Sequence, residues 1–209
     1  MSEVGLPGPD ERSVLIGDTG SGKSVFAERA AALYREVHYL DYKGELSPQV
    51  AEFRRTDDLR VAWRLRGHVL IRPRLSQTGR PWAQWYLSQM LRRRRDVLIL
   101  VDEVYLLGGM NHSSYPPALA QIAVTGRSKH LPLMVGIQRP KFAPTVLFAQ
   151  ANHWYVWPLG EEDLPVLAGW VPREALEDVR RLKYDHGFVH IWKERGGRKV
   201  WTVHGPLAI

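Results

Sequence analysis

The sequence predicts an α/β protein: a mostly parallel central sheet flanked by helices, with a β-hairpin at the C-terminus. Three observations carry that expectation. A short apolar run, Val14-Leu15-Ile16, enters a glycine-rich turn that feeds directly into a helix-forming segment. A second run, Val97 to Val101, is apolar without alternation, as suits a parallel strand covered on both faces. Around these two, strand-like and helix-like segments follow one another in the order of βαβ units.

At 209 residues the chain is long enough to bury a substantial single core. Residues 1–11 are polar, carry Pro7 and Pro9, and lack the apolar stretch of a signal peptide. They read as a flexible lead-in, with residues 12–209 as a single domain. The sequence holds no run of 18 or more apolar residues, so no membrane span is expected. It holds no cysteine, which excludes disulfides and thiolate metal sites. The 29 basic residues against 22 acidic ones give a net charge of +7, a balance that favours polyanionic partners.

Strand one is Arg12 to Ile16. The turn after it, Gly17-Asp18-Thr19-Gly20-Ser21-Gly22-Lys23-Ser24, fits the phosphate-binding pattern G-x-x-x-x-G-K-[ST]. Glycines let successive backbone N–H groups curl round a triphosphate without Cβ clashes. The helix that starts here, with Val25 in its first turn, adds unpaired donors and its positive dipole end. Lys23 is placed to reach the β- and γ-phosphates of ATP, and the Ser24 hydroxyl to bind Mg²⁺.

That helix is expected to run to about Arg35. Val37 to Leu40 then makes a strand, followed by the polar turn Asp41-Tyr42-Lys43-Gly44-Glu45. Thr56-Asp57-Asp58 reads as a cap for a helix over Leu59 to Leu65, which Gly67 ends before a strand from His68 to Arg72. A loop over 73–81 holds or adjoins Arg72, Arg74 and Arg80, and Pro81 suits the first position of the next helix. On that helix Trp82, Trp85, Tyr86 and Met90 fall at i, i+3, i+4, i+8, a core stripe. The run Arg92-Arg93-Arg94-Arg95 closes it, where cations suit the helix C-terminus, and reads as solvated.

The strand Val97 to Val101 ends in Asp102-Glu103, about 80 residues after the glycine turn. Ligands in such sheets bind beyond the carboxyl ends of the strands, so this pair should face the phosphate loop. Asp102 is placed to hold Mg²⁺, and Glu103 to orient or deprotonate an attacking water. A loop from Gly108 to Pro117 precedes a helix near 118–126. A strand from Leu133 to Ile137 ends in Gln138-Arg139-Pro140, where Gln138 is positioned to sense the γ-phosphate. Further expectations are a strand over 154–158, helices near 164–168 and 173–183, and the hairpin of 187–192 and 199–203 about Gly196-Gly197. His186 and His190 lie four apart in a strand-like context and are not read as a metal site.

Taken together, the Thr-Gly-Ser-Gly-Lys-Ser loop, Asp41-Tyr42-Lys43-Gly44-Glu45, Asp102-Glu103, and Gly126-Arg127 leading to Gln138-Arg139-Pro140 resemble the HerA/FtsK superfamily of DNA-translocating ATPases. The resemblance extends from strand one to the hairpin. With no room for an added barrel, winged helix or membrane anchor, the chain is most similar to the genome-packaging ATPases of membrane-containing icosahedral viruses. It implies a RecA-like core, a hexameric or pentameric ring, and sequence-independent contact with double-stranded DNA. It also implies docking on capsid or internal-membrane vertex proteins in the host cytoplasm, in association with the virion. ATP would lie between subunits, with an arginine given in trans: Arg127 is the first candidate, Arg139 the second, the Arg72/Arg74/Arg80 loop the third. Lys193, Arg195, Arg198 and Lys199 of the hairpin and the loop from Gly108 are candidate DNA contacts.

Two other readings compete. One is a small-molecule or nucleotide phosphotransferase, a class that shares this size and loop; Asp102-Glu103 with Gln138 suits water activation better. The other is a nucleotide-gated scaffold with negligible turnover, against which the complete set of Lys23, Ser24, Asp102 and Glu103 speaks.

Overall fold

A computed structural model describes residues 6–8, 10–108 and 115–206. In chain order the elements are β1 (Arg12–Ile16), α1 (Lys23–Ala31), β2 (Val37–Leu40), β3 (Arg54–Thr56), α2 (Leu59–Ala62), β4 (His68–Ile71) and α3 (Arg80–Arg93). Then follow β5 (Leu98–Val101), α4 (Pro117–Thr125), β6 (Leu133–Ile137), α5 (Thr145–Gln150), β7 (His153–Val156), α6 (Leu164–Leu167), α7 (Arg173–Arg181), β8 (Phe188–Lys193) and β9 (Lys199–His204). The strands form one sheet in the order β3-β4-β2-β5-β6-β1-β7-β8-β9. Pairings from β3 across to β7 are parallel; β7–β8 and β8–β9 are antiparallel. The expected α/β architecture, hairpin included, is therefore present.

Alternation along β1 explains how the sheet is covered on both sides. Val14 and Ile16 face a cluster with Tyr86 of α3, Leu119 of α4, Phe148 of α5 and Leu176 of α7. Leu15 faces the opposite cluster, with Phe26 and Ala30 of α1, Tyr155 and Phe188. Of the aromatic stripe on α3, Tyr86 and Met90 are buried, while Trp82 and Trp85 are half-buried against the same core.

In-register pairing brings the carboxyl ends of three strands side by side: Ile16 opposes Ile137, and Val101 opposes Val135. Gly136 makes this approach feasible, since a Cβ there would lie 1.8 Å from the Asp102 carbonyl oxygen. The catalytic-type residues that follow β1, β5 and β6 are thus gathered at one edge.

Several local expectations are corrected. Helix α1 stops at Ala31 rather than Arg35, because Leu33 and Tyr34 donate to Ala30 and Ala31 in tightened turns and the Tyr34 hydroxyl reaches the carbonyls of Pro7 and Gly8. Residues 7 and 8 of the expected lead-in therefore lie against the body. Helix α2 is one turn, capped by Asp58, whose carboxylate accepts from Arg60 N at 2.9 Å. Strand β3 was not foreseen. The expected α7 ends at Arg181, two residues early.

The arginine run is not wholly solvated. Arg94 is buried, donating to the carbonyls of Trp63 and Leu65 at 2.6 and 2.7 Å and pairing with Glu36. It lies four residues beyond Met90 and so continues the buried face of α3.

Candidate active site

The turn between β1 and α1 has the backbone its glycines require. Gly20 and Gly22 lie at φ 75° and 107°, conformations that L side chains adopt at a steric cost. Gly17 has a different reason: a Cβ there would come 2.6 Å from the Trp157 Cβ. The first intrahelical bond of α1 runs from Phe26 N to Gly22 O, which leaves the amides of Lys23, Ser24 and Val25 directed out of the helix start. Lys23 is folded back over the turn, its ammonium donating to the carbonyls of Gly17 and Asp18 at 2.6 and 2.7 Å and to Ser21 Oγ at 3.4 Å. Burial lowers its pKa to about 8, against the opposing pull of Glu103. A cation is thus held on the carbonyls of the turn beside the free amides at the start of α1, and the two together suit an anion.

Across from it, the Ser24 hydroxyl donates to Asp102 Oδ1 at 3.0 Å. The second oxygen, Asp102 Oδ2, is buried with no hydrogen-bond partner. A buried carboxylate oxygen without a donor costs stability unless something positive meets it. Burial accordingly raises the Asp102 pKa, with Lys43 and Ser24 opposing. A hydroxyl and a carboxylate beside a phosphate-type loop are the hard oxygen donors that Mg²⁺ takes, so these residues fit that ion.

Glu103 is 2 % exposed. Its Oε1 accepts from Gln138 N at 3.3 Å, and the Lys43 ammonium stands 3.5 Å from Oε2, an ion pair without hydrogen-bond geometry. Burial pushes this carboxyl up to about 7, with Lys43 the largest opposing influence. Such a group is poised to exchange a proton with water near neutrality.

Lys43 is held by its turn. Asp41 accepts from the amides of Gly44, Glu45 and Leu46 at 2.8, 3.0 and 3.2 Å, and Arg72 Nε bonds the same carboxylate at 2.8 Å. The Gln138 side chain donates to Thr19 Oγ1, joining β6 to the phosphate loop.

The structure therefore brings together Gly17, Asp18, Thr19, Gly20, Ser21, Gly22, Lys23, Ser24, Val25, Asp102, Glu103 and Gln138 at one edge of the sheet. It does not bring Arg127 there. Arg127 is exposed just before β6, at the opposite edge, close enough to Arg12 to lower that group's pKa after burial has done so. Arg139 pairs with Glu162 and Asp163, and Arg74 with Asp57. In the hairpin, Lys193 and Lys199 each lie over the Trp154 ring, leaving Arg195 and Arg198 exposed at its turn. The loop expected from Gly108 lies, over residues 109–114, outside the described residues.

Four residues near the site were given no role there by sequence reasoning. Lys43 stood inside a recognised turn without a role. Trp157, Tyr184 and His186 reach the phosphate loop through the β7 and β8 side, and only Trp157, directly after a strand, carried any local signal for this site. Among the described residues no helix is long and apolar enough to cross a membrane. His190 is buried, stacked on Tyr155 and 2.9 Å from His153 Nδ1.

No protein-family model matches the chain, and no curated protein matches its sequence. Solved structures do match its fold. The genome packaging NTPase B204 of Sulfolobus turreted icosahedral virus 2, in complex with AMPPCP, superposes with a TM-score of 0.77 at 18% identity, covering 97% of this chain and 100% of that one. The pCW3 conjugation coupling protein TcpA, with ATPγS, gives a TM-score of 0.57 at 14% identity over 94% of this chain and 60% of that one. The cytoplasmic domain of the Thermomonospora curvata type VII secretion ATPase EccC gives 0.53 at 14% identity, over 94% of this chain and 25% of that one. These likenesses establish the P-loop NTPase fold, in keeping with the resemblance read from the motifs.

Proposed function

We propose that this protein hydrolyses ATP and couples the reaction to moving double-stranded DNA, as a homo-oligomeric ring that packages a viral genome. The observation that carries the hydrolytic half is one juxtaposition: a glycine turn enclosing Lys23, with Asp102 3.0 Å from Ser24 and Glu103 buried beside them. The packaging half is supported by the likeness in fold to a packaging NTPase over the whole length of both chains.

The chain's own groups divide the work as follows. Amides of the turn and of the α1 N-terminus, with Lys23, bind the phosphates. Ser24 and Asp102 would hold Mg²⁺, which would offset charge on the phosphate oxygens. Glu103 accepts a proton from water as that water attacks the γ-phosphorus, whose bond to the β–γ bridging oxygen breaks to release ADP, and Gln138, bonded to Thr19 of the loop, senses the γ-phosphate. Lys43, 3.5 Å from Glu103 Oε2, favours the ionised form of that carboxyl against its burial. Arg127, exposed at the far edge, is offered to a neighbour's site rather than its own, consistent with a ring. DNA contact falls to exposed cations such as Arg195 and Arg198, and docking to a virion vertex in the host cytoplasm completes the reading.

Two outcomes follow. Lys43→Met is expected to lower kcat about tenfold, the worth of one charge-assisted contact, while KM for ATP stays within about twofold. A raised KM with kcat unchanged in steady-state kinetics would instead make Lys43 a binding residue. For the motor reading, double-stranded DNA of unrelated sequences should raise the ATPase rate severalfold at low salt, the gain shrinking as salt rises. An unchanged rate under conditions that permit ring formation removes the motor reading and leaves a plain ATPase.

A further inference from the structure

The order of strands sets apart the two sides of the phosphate loop. Asp102 and Glu103 follow β5 and Gln138 follows β6, all on one side of β1; β7 and β8 lie on the other. Phosphates gathered by the turn have their hydrolysed end toward β5 and β6, so the rest of the nucleotide extends toward β7 and β8.

That second side is covered by the segment joining α7 to β8. Its Tyr184 hydroxyl donates to Asp18 Oδ2 at 3.1 Å, a contact between residues 166 apart in sequence. His186 is exposed and held at φ 69°, a left-handed backbone that few residues adopt. A Cβ on Gly22 would meet the His186 Cβ and Nδ1 at 3.5 Å and Trp157 Nε1 at 3.4 Å. His186, Trp157 and the 46 % exposed Val25 line the same cleft as Lys23 and Asp102.

We propose that His186 is the contact for the nucleoside part, ribose and base, of a bound nucleoside triphosphate, with Tyr184 latching its segment to the phosphate loop. This rests on the nucleotide reading given above. The imidazole offers a flat face for stacking, Val25 an apolar neighbour on the first turn of α1, and Trp157 a wall beneath. Base stacking on an aromatic face is sequence-tolerant and contributes measurably to affinity. The left-handed backbone places the ring where a residue confined to ordinary conformations would direct its side chain elsewhere.

The test compares ATP with inorganic tripolyphosphate, which has the phosphates and lacks the nucleoside. Both would be titrated calorimetrically, with Mg²⁺, into the parent and into His186→Asn and His186→Gly, two residues that tolerate the left-handed backbone. The expected result is an ATP Kd raised about tenfold in both variants, the loss of one stacked base, with the tripolyphosphate Kd unchanged. ATP affinity equal to the parent's overturns the proposal. So does an equal fall for both ligands, which would make the segment a brace for the phosphate loop. If the parent binds neither ligand, the nucleotide site itself is misread; if the parent binds both and only this pattern fails, the nucleotide reading stands without the His186 assignment.

Discussion

Glu103→Gln is expected to bind ATP as the parent does and to lose turnover by about 10²- to 10⁴-fold, the range for removing a general base. The amide keeps the size of the side chain and can still face Gln138 N and Lys43, so the fold is retained. It cannot take a proton from water. Binding is checked with a fluorescent ATP analogue and turnover by phosphate release. Equal loss of binding and turnover would mean that Glu103 supports the pocket rather than the chemistry. The same carboxyl gives a pH signature. Its pKa is raised by burial to about 7, so it is protonated, and idle as a base, below that value. The lowered pKa of Lys23, about 8, removes its charge as pH rises further. The kcat/KM profile of the free enzyme should therefore be a bell between these limits, with the acid limb lost in Glu103→Gln.

Gly136→Ala is the second large effect. The methyl group would be 1.8 Å from the Asp102 carbonyl oxygen, a backbone atom that cannot swing aside as a side chain can. Strands β5 and β6 must separate locally, in a sheet that is buried on both faces at this point. Overpacking of this kind typically costs about 1–3 kcal/mol, and the backbone clash puts it at the upper end. Thermal or urea unfolding measures the loss. Because the displaced carbonyl belongs to Asp102, the ATPase rate of the folded fraction should fall as well. Unchanged stability would mean that the two strands are not packed as described.

How much of this was legible in the residues depends on where the determining forces act. The phosphate loop, Asp102-Glu103 and the Gln138 strand end were legible, because glycine spacing and continuous apolar runs are local signatures. Strand β3 was not. Arg54-Arg55-Thr56 is polar, largely exposed and three residues long, and it becomes a strand only by pairing with Val69 to Ile71 of β4. Arg94 was misjudged as part of a charge run, although its place four residues after Met90 marks the buried face of the helix. Tyr184 had no local mark, and His186 stood out only for its spacing from His190; the fold carries both from the far end of the chain to the first loop. Lys43 was visible in its turn, but its pairing with Glu103 depends on β2 lying beside β5.

The most direct measurement is ATP hydrolysis by Lys23→Ala beside the parent, at saturating Mg²⁺ and with double-stranded DNA present. Loss of the ammonium that Gly17 and Asp18 now hold should reduce hydrolysis by about 10²-fold or more, as expected for removing a preorganised charge from a phosphate site. Hydrolysis at the parental rate would contradict the assignment of residues 17–24 as the site where triphosphate is bound and cut.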